Sequence, residues 1–188
     1  MTFLTQGIII KKSHSGDFDR QYVIYTRDLG KITATAKGAK KITSKMSPHL
    51  DFFSLVDMMI AEKYNTKRIA GARINYDFSL IKQSPIKISA AYLYLESLDN
   101  LTTYDFKDRV IFLLTIDFFR QLNKSTNIAD IISTLNFYLF KLLSYSGYRP
   151  TLKVRNQREL FKELCKIIIC SSEKELKSKN FLLKMIVI

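Results

Sequence analysis

The stretch QYVIYTRDLGKITATAKGAKKITSK, Gln21–Lys45, sets the fold class before any other part of the chain is read. Gln21–Thr26 is a run of β-branched and aromatic residues, the composition of a strand. Arg27-Asp28-Leu29-Gly30 has the make-up of a tight hairpin connection. It leads into Lys31–Lys37, where Ile32, Ala34 and Ala36 alternate with Thr33, Thr35 and Lys37. Alternation with period two implies one face in a core and the other in water.

Working outward, the same signals recur on both sides. Upstream, Gly7–Lys11 reads as a strand, and His14-Ser15-Gly16-Asp17 is rich in residues that accept turn geometry. Downstream, Phe52–Glu62 and Arg68–Ile74 supply two more strands, with a turn expected at Asn65-Thr66-Lys67. Five short strands in roughly 75 residues is the size of a small closed barrel of the OB type. From Pro85 the pattern turns helical, with apolar segments at Ile88–Leu101, Phe106–Leu122, Ile128–Tyr145, Arg158–Ile169 and Glu173–Met185. Ser84 precedes Pro85 at a first helical position, Asn127 can cap a helix from Ile128, and Gly147 with Pro150 stops it. The expected architecture is therefore α+β, strands then helices. An OB-like five-stranded β-barrel occupies 1–80 and an all-helical C-terminal domain occupies 81–188.

Charge gives the first functional clue. Thirty Lys and Arg against 17 Asp and Glu leave a net charge of +13, so a polyanionic partner is expected. Residues 1–80 carry 13 basic and 7 acidic side chains, residues 81–150 carry 8 and 6, and residues 151–188 carry 9 and 4; the ends hold the excess. Lys31–Lys45 concentrates it, with Lys31, Lys37, Lys40, Lys41 and Lys45 and no acidic residue. Gly38 lets the backbone turn sharply, and Thr43 and Ser44 can donate to phosphate oxygens. Lys37, Lys40 and Lys41 are the expected phosphate contacts, with Lys31, Lys45, Lys11 and Lys12 extending the same surface. Tyr22, Tyr25, Phe52, Phe53 and Tyr64 could stack on bases, although strand spacing turns most of them to the core.

Catalysis is poorly supplied. His14 and His49 lack metal-ligand spacing, and no GxxxxGK[ST], GxGxxG or GxSxG motif occurs. Asp17 and Asp19 could hold Mg²⁺ in a nuclease, but Arg20 beside them suggests an ion pair. Cys165 and Cys170, five apart in a helical segment, fit neither a disulfide framework nor a zinc site and read as buried thiols. The reading is of a non-enzyme with no cofactor and no metal. Gly7–Ile10 is too short for a signal h-region, and Val110–Ile116 and Thr134–Phe140 end well before the roughly 18 residues a span requires. A soluble, cytoplasmic protein without membrane attachment is expected.

The order GIIIKK (Gly7–Lys12), GDFDR (Gly16–Arg20) and YTRDLGKITATAKGAKK (Tyr25–Lys41), with Ser44 and Leu50–Phe53 behind it, resembles the N-terminal domain of the RecO family. Thr26, Gly30, Lys31, Lys37, Gly38, Ala39, Lys40 and Lys41 match that family's "T-x-x-x-G-K" hairpin and "K-G-A-basic" loop position by position. AAYLYLESLDNL (Ala90–Leu101), SYSGYRP (Ser144–Pro150) and EKELKSKNFLLKM (Glu173–Met185) are similar to its helices. Departures are Asp17 where the family more often has Glu, and TLKVRNQREL where many members carry a four-cysteine zinc ribbon. The resemblance implies an OB-fold followed by helices, binding single- and double-stranded DNA. It further implies strand annealing and help with RecA loading, together with RecR, on DNA coated by single-stranded-DNA-binding protein. That protein's acidic, apolar C-terminal tail is the partner expected on the helical half. Other readings of the residues themselves are an RNA-binding or ribosome-associated OB module, a metal-dependent nuclease using Asp17 and Asp19, and a scaffold whose charge is incidental.

Overall fold

The computed structural model describes residues 1–148, 150 and 156–186. Arg149 and residues 151–155, the start of the cysteine-free stretch after the Gly-Tyr-x-Pro signature, lie outside the described residues. The chain divides into two compact units, Met1–Asp77 with Thr103–Phe112, and Phe78–Thr102 with the remainder from Leu113. The boundary expected at residue 80 thus falls at Asp77, and Thr103–Phe112 belongs with the strands.

Five strands form the first unit: β1 (Thr2–Ser15), β2 (Asp19–Thr26), β3 (Gly30–Ala36), β4 (Ser54–Lys63) and β5 (Thr66–Asp77). They close into a barrel in the order β1-β2-β3-β5-β4, as expected of an OB-like fold. β1 makes closure possible, because it pairs with β2 from Gly7 to Ser15 and with β4 from Thr2 to Ile8. A bulge between Ile9 and Lys11 marks the change of partner. β5 carries two further bulges against β4, at Asn75 and Ala70, which supply the curvature a small barrel needs. The last seam is a single parallel pair, Thr35 with Arg68.

Alternation along β3 behaves as the sequence requires, with Ile32, Ala34 and Ala36 fully buried and Thr33 and Thr35 partly exposed. The barrel core gathers these with Ile9, Tyr22, Ile24, Val56, Met58, Ile60 and Ile69. Each such large aliphatic side chain contributes roughly 1.5–3 kcal/mol on burial. Two turns differ from expectation. The β4–β5 connection is Tyr64-Asn65, both left-handed with φ of 49° and 58°, one residue earlier than the sequence suggests, because a two-residue primed turn matches strand twist. β1 runs through His14 and Ser15, since those residues pair with Arg20 and Asp19.

The second unit contains α1 (Ser79–Lys82), α2 (Pro85–Leu101), α4 (Ile128–Tyr145), α5 (Gln157–Ser172) and α6 (Lys177–Ile186), and most of α3 (Arg109–Lys124). Start signals are local and legible: the Asn127 and Asn156 side chains accept the N–H groups of Asp130 and Glu159 at 2.9 Å. α3 begins three residues later than expected, because Asp108 caps it by accepting the N–H groups of Val110 and Ile111. α2 is buried nearly all round, through Ala90, Ala91, Leu93, Tyr94, Leu95 and Leu98, which accounts for its lack of an amphipathic stripe. Tyr94 stacks on Phe118 at 4.0 Å between centroids, and Phe78 on Phe119 at 5.4 Å. Cys165 is buried on α5, but Cys170 is exposed, correcting the expectation that both thiols are interior. No helix among the described residues is long and apolar enough to cross a membrane.

Candidate nucleic-acid interface

The loop that leaves β3 carries the charge, and its shape follows from a few local constraints. Gly38 adopts a left-handed φ of 65°, open to glycine at little cost, and its N–H donates to Asp19 Oδ1 at 2.8 Å. Ala39 then enters the barrel core, while the Lys40 N–H donates to the Phe18 carbonyl at 3.0 Å. Successive turns follow, Lys41 N–H to Gly38 O and Ser44 N–H to Lys41 O, before a short 3-10 helix at Ser47–His49 and the buried Leu50. The loop is pinned at Ala39, Met46 and Leu50, and Lys41, Ile42, Thr43 and Lys45 between them are exposed.

Lys37, Lys41 and Lys45 line one concavity of about 560 Å³ with Thr43, Ser44 and His49, on a floor of small β5 residues around Gly71. No carboxylate lines it. Lys37 and Lys45 are exposed and make no ion pair among the described residues. Unpaired ammonium groups converging on hydroxyls and an open backbone form a surface that accepts phosphates.

The other lysines are placed differently. Lys40 donates to the Gly16 carbonyl at 2.6 Å, bracing the β1–β2 turn. Lys12 pairs with Asp51 at 2.5 Å and lies over the Phe52 ring, and Lys11 is exposed on β1 outside the concavity. Lys31 is only 3% exposed, with its ammonium 4.5 Å from the Tyr104 ring centroid, so it is not part of the open surface expected of it. Asp19 is committed to the loop backbone, and no group of three or more His, Cys, Asp or Glu among the described residues is placed to hold a metal ion.

Two features escape sequence reasoning. Arg68 stands exposed on β5 beside Thr35 because β5 pairs with β3 there, a register the sequence does not encode locally. Of the five aromatic residues considered, Tyr22, Tyr25 and Phe53 are buried and Phe52 is half-buried, leaving Tyr64 exposed. Phe18, in the β1–β2 turn, is exposed as well, as its acidic, turn-forming GDFDR setting favours, although a lone Phe there does not by itself read as a stacking residue.

Residues 1–77 match the family model "Recombination protein O N terminal", which is the barrel with its cationic loop. The barrel is that of the RecO N-terminal family. It is similar to the DNA repair protein RecO of Roseiflexus sp. (strain RS-1), 31% identical over 150 residues, covering 80% of this chain and 52% of that protein. It is also similar to RecO of Dehalococcoides mccartyi, 29% identical over 152 residues (80% and 58%), and of Cutibacterium acnes, 28% over 155 residues (80% and 63%). The chain thus spans a little over half the length of the curated relatives it matches.

The helical unit holds a second concavity, of about 460 Å³, beside the N-terminus of α4. Leu80, Ile86 and Ile131 give it apolar walls, and Lys87, Lys124 and Asn123 stand among its polar groups. Lys87 is largely buried and donates to the Asn123 carbonyl at 3.0 Å.

Proposed function

We propose that the chain is a DNA-binding recombination mediator that works by binding and not by catalysis. The observation that carries this is the carboxylate-free concavity of Lys37, Lys41 and Lys45 on a barrel that matches the RecO N-terminal family. Contacts of this kind are made to phosphates, so they serve single and double strands of any sequence. Neutralising phosphates on two strands at once favours their annealing, and the same surface would assist RecA loading together with RecR in the cytoplasm. The helical concavity suits the acidic, apolar C-terminal tail of single-stranded-DNA-binding protein, with Leu80, Ile86 and Ile131 receiving apolar side chains and Lys124 the terminal charge.

A strand-annealing assay with bare strands and with strands coated by single-stranded-DNA-binding protein tests this reading. Annealing on both is expected, with matched RNA strands bound more weakly. Equal preference for RNA would return the chain to the RNA-binding class, and divalent-metal-dependent cleavage abolished by Asp19→Asn would make it a nuclease. A labelled tail peptide should bind more tightly than a scrambled acidic control, and Lys124→Gln should weaken it.

A further inference from the structure

We propose that two aromatic rings, Phe18 and Tyr64, are base-stacking platforms that make the barrel select unpaired nucleotides. The inference rests on the DNA-binding reading above and specifies what that site grips besides phosphates. Phe18 lies in the β1–β2 turn with 60% of its surface exposed, and Tyr64 lies in the β4–β5 turn with 90% exposed. Each ring has a lysine ammonium over it, Lys41 at 5.3 Å from the Phe18 centroid and Lys63 at 5.1 Å from that of Tyr64. Lys41 also lines the cationic concavity, so the Phe18 ring and the phosphate surface meet at one side chain.

Strand register sets the two turns at opposite ends of β3, the Phe18 turn at its Ala36 end and Tyr64 level with Lys31, so that they flank its outward side. Arg20, two residues after Phe18, pairs with Ala36, and Arg68, four after Tyr64, pairs with Thr35. Thr33 and Thr35, on the outward side of β3, precede Lys37 at the edge of the concavity. In OB-folds, the β1–β2 and β4–β5 loops flank the oligonucleotide-binding face. An aromatic ring beside a cation is the combination that binds single strands, because every base has a face to stack and every nucleotide a phosphate to neutralise.

Tyr64 adds an independent argument. It occupies a left-handed position, φ 49°, where Asn, Asp or Gly is cheapest. A bulky ring held there at conformational cost and left in solvent contributes little to the fold. A duplex keeps its bases stacked inside and offers these rings nothing.

The test compares Phe18→Ala, Tyr64→Asn and the double variant on three ligands: a single strand containing 2-aminopurine, the same strand with abasic sites, and the matched duplex. Each single variant should lose about 5- to 150-fold in affinity for the base-bearing strand and the double variant at least about 30-fold, with loss of the stacking-dependent change in 2-aminopurine fluorescence. Affinity for the abasic strand and the duplex should stay within twofold. Phe18→Tyr and Tyr64→Phe should bind like the parent, and Tyr64→Asn should keep or raise thermal stability while losing single-strand affinity. Loss of equal size on all three ligands, or no loss on any, overturns the stacking assignment while leaving lysine-mediated binding intact. Failure of the parent chain to bind any of the three would overturn the DNA-binding reading itself.

Discussion

Asp19 accepts the backbone N–H of Gly38 at 2.8 Å, tying the start of β2 to the loop that carries the lysines. A carboxylate that reads in the sequence as half of a metal pair is thereby the brace of the proposed interface. Asp19→Ala should cost about 1.5–3 kcal/mol, the range for a hydrogen bond to a charged group, and should loosen the lysine loop. Asp19→Asn keeps a carbonyl acceptor and should cost less. Urea midpoints with DNA affinity in parallel check this; an alanine variant with parent stability and affinity would show the loop to be held from elsewhere.

Salt dependence separates the lysines that line the concavity from the one that braces the turn. Each phosphate neutralised contributes a log–log slope of about −0.9 on duplex and about −0.7 on single strands. Lys37→Gln, Lys41→Gln and Lys45→Gln combined should flatten the slope by up to about 2.7 and 2.1 respectively, and weaken all sequences alike. Lys40→Gln, whose ammonium is bonded to Gly16, should change it little. Titrations between low and moderate salt decide, and a larger effect from Lys40 than from the triple variant would misplace the surface.

Gly30 is packed against the segment that returns to the barrel unit. A Cβ there would stand 2.0 Å from the Phe106 carbonyl oxygen, and its φ is 68°. Gly30→Ala should destabilise by at least about 2 kcal/mol, since backbone must move and a left-handed alanine is strained. Gly16→Ala has nothing within 4 Å and should cost only about 1–2 kcal/mol from conformation. Equal midpoints for the two variants would mean that Thr103–Phe112 yields freely.

Glu96 on α2 caps α6 from outside it, accepting the N–H groups of Lys177 and Ser178 at 2.9 and 3.0 Å and the Ser178 hydroxyl at 2.8 Å. Negative charge at a helix N-terminus is favourable, and Glu96→Ala should cost about 1.5–3 kcal/mol. Limited proteolysis should then cut within α6 first. Unchanged cleavage would place the anchoring of that helix in its apolar contacts alone.

The two thiols should behave oppositely. Burial pushes the Cys165 thiol up to about 12, only partly offset by Lys179, whereas Cys170 is exposed. At pH 8 a thiol reagent should label Cys170 quickly and leave Cys165 untouched, because the thiolate is the nucleophile. Denaturant should release the second thiol. Prompt labelling of both in the folded chain would show the α5 interior to be open.

Local signals are legible where their cause is local. Asn127 caps α4 and Pro85 opens α2 because a cap needs only its own turn. The β4–β5 turn lies one residue earlier than its composition suggests because Tyr64 is not a turn former, and only pairing of Lys63 with Thr66 fixes it. Cys170 escaped because helical periodicity alone does not say which flank of α5 is covered.

The sequence by itself determined that a barrel of five strands precedes helices, since period-two and period-3.6 patterns are properties of consecutive residues. It also determined that the β3–β4 loop is cationic, since composition needs no partner. Which lysines are available was decided by tertiary structure alone. Lys31 and Lys37 share one face of β3 by alternation, yet Lys31 is covered by Tyr104, 73 positions away, while Lys37 stands open beside Lys41 and Lys45. A side chain's exposure depends on what the rest of the chain brings to it, and that contact, like the pairing of Thr35 with Arg68, is made between residues far apart in sequence.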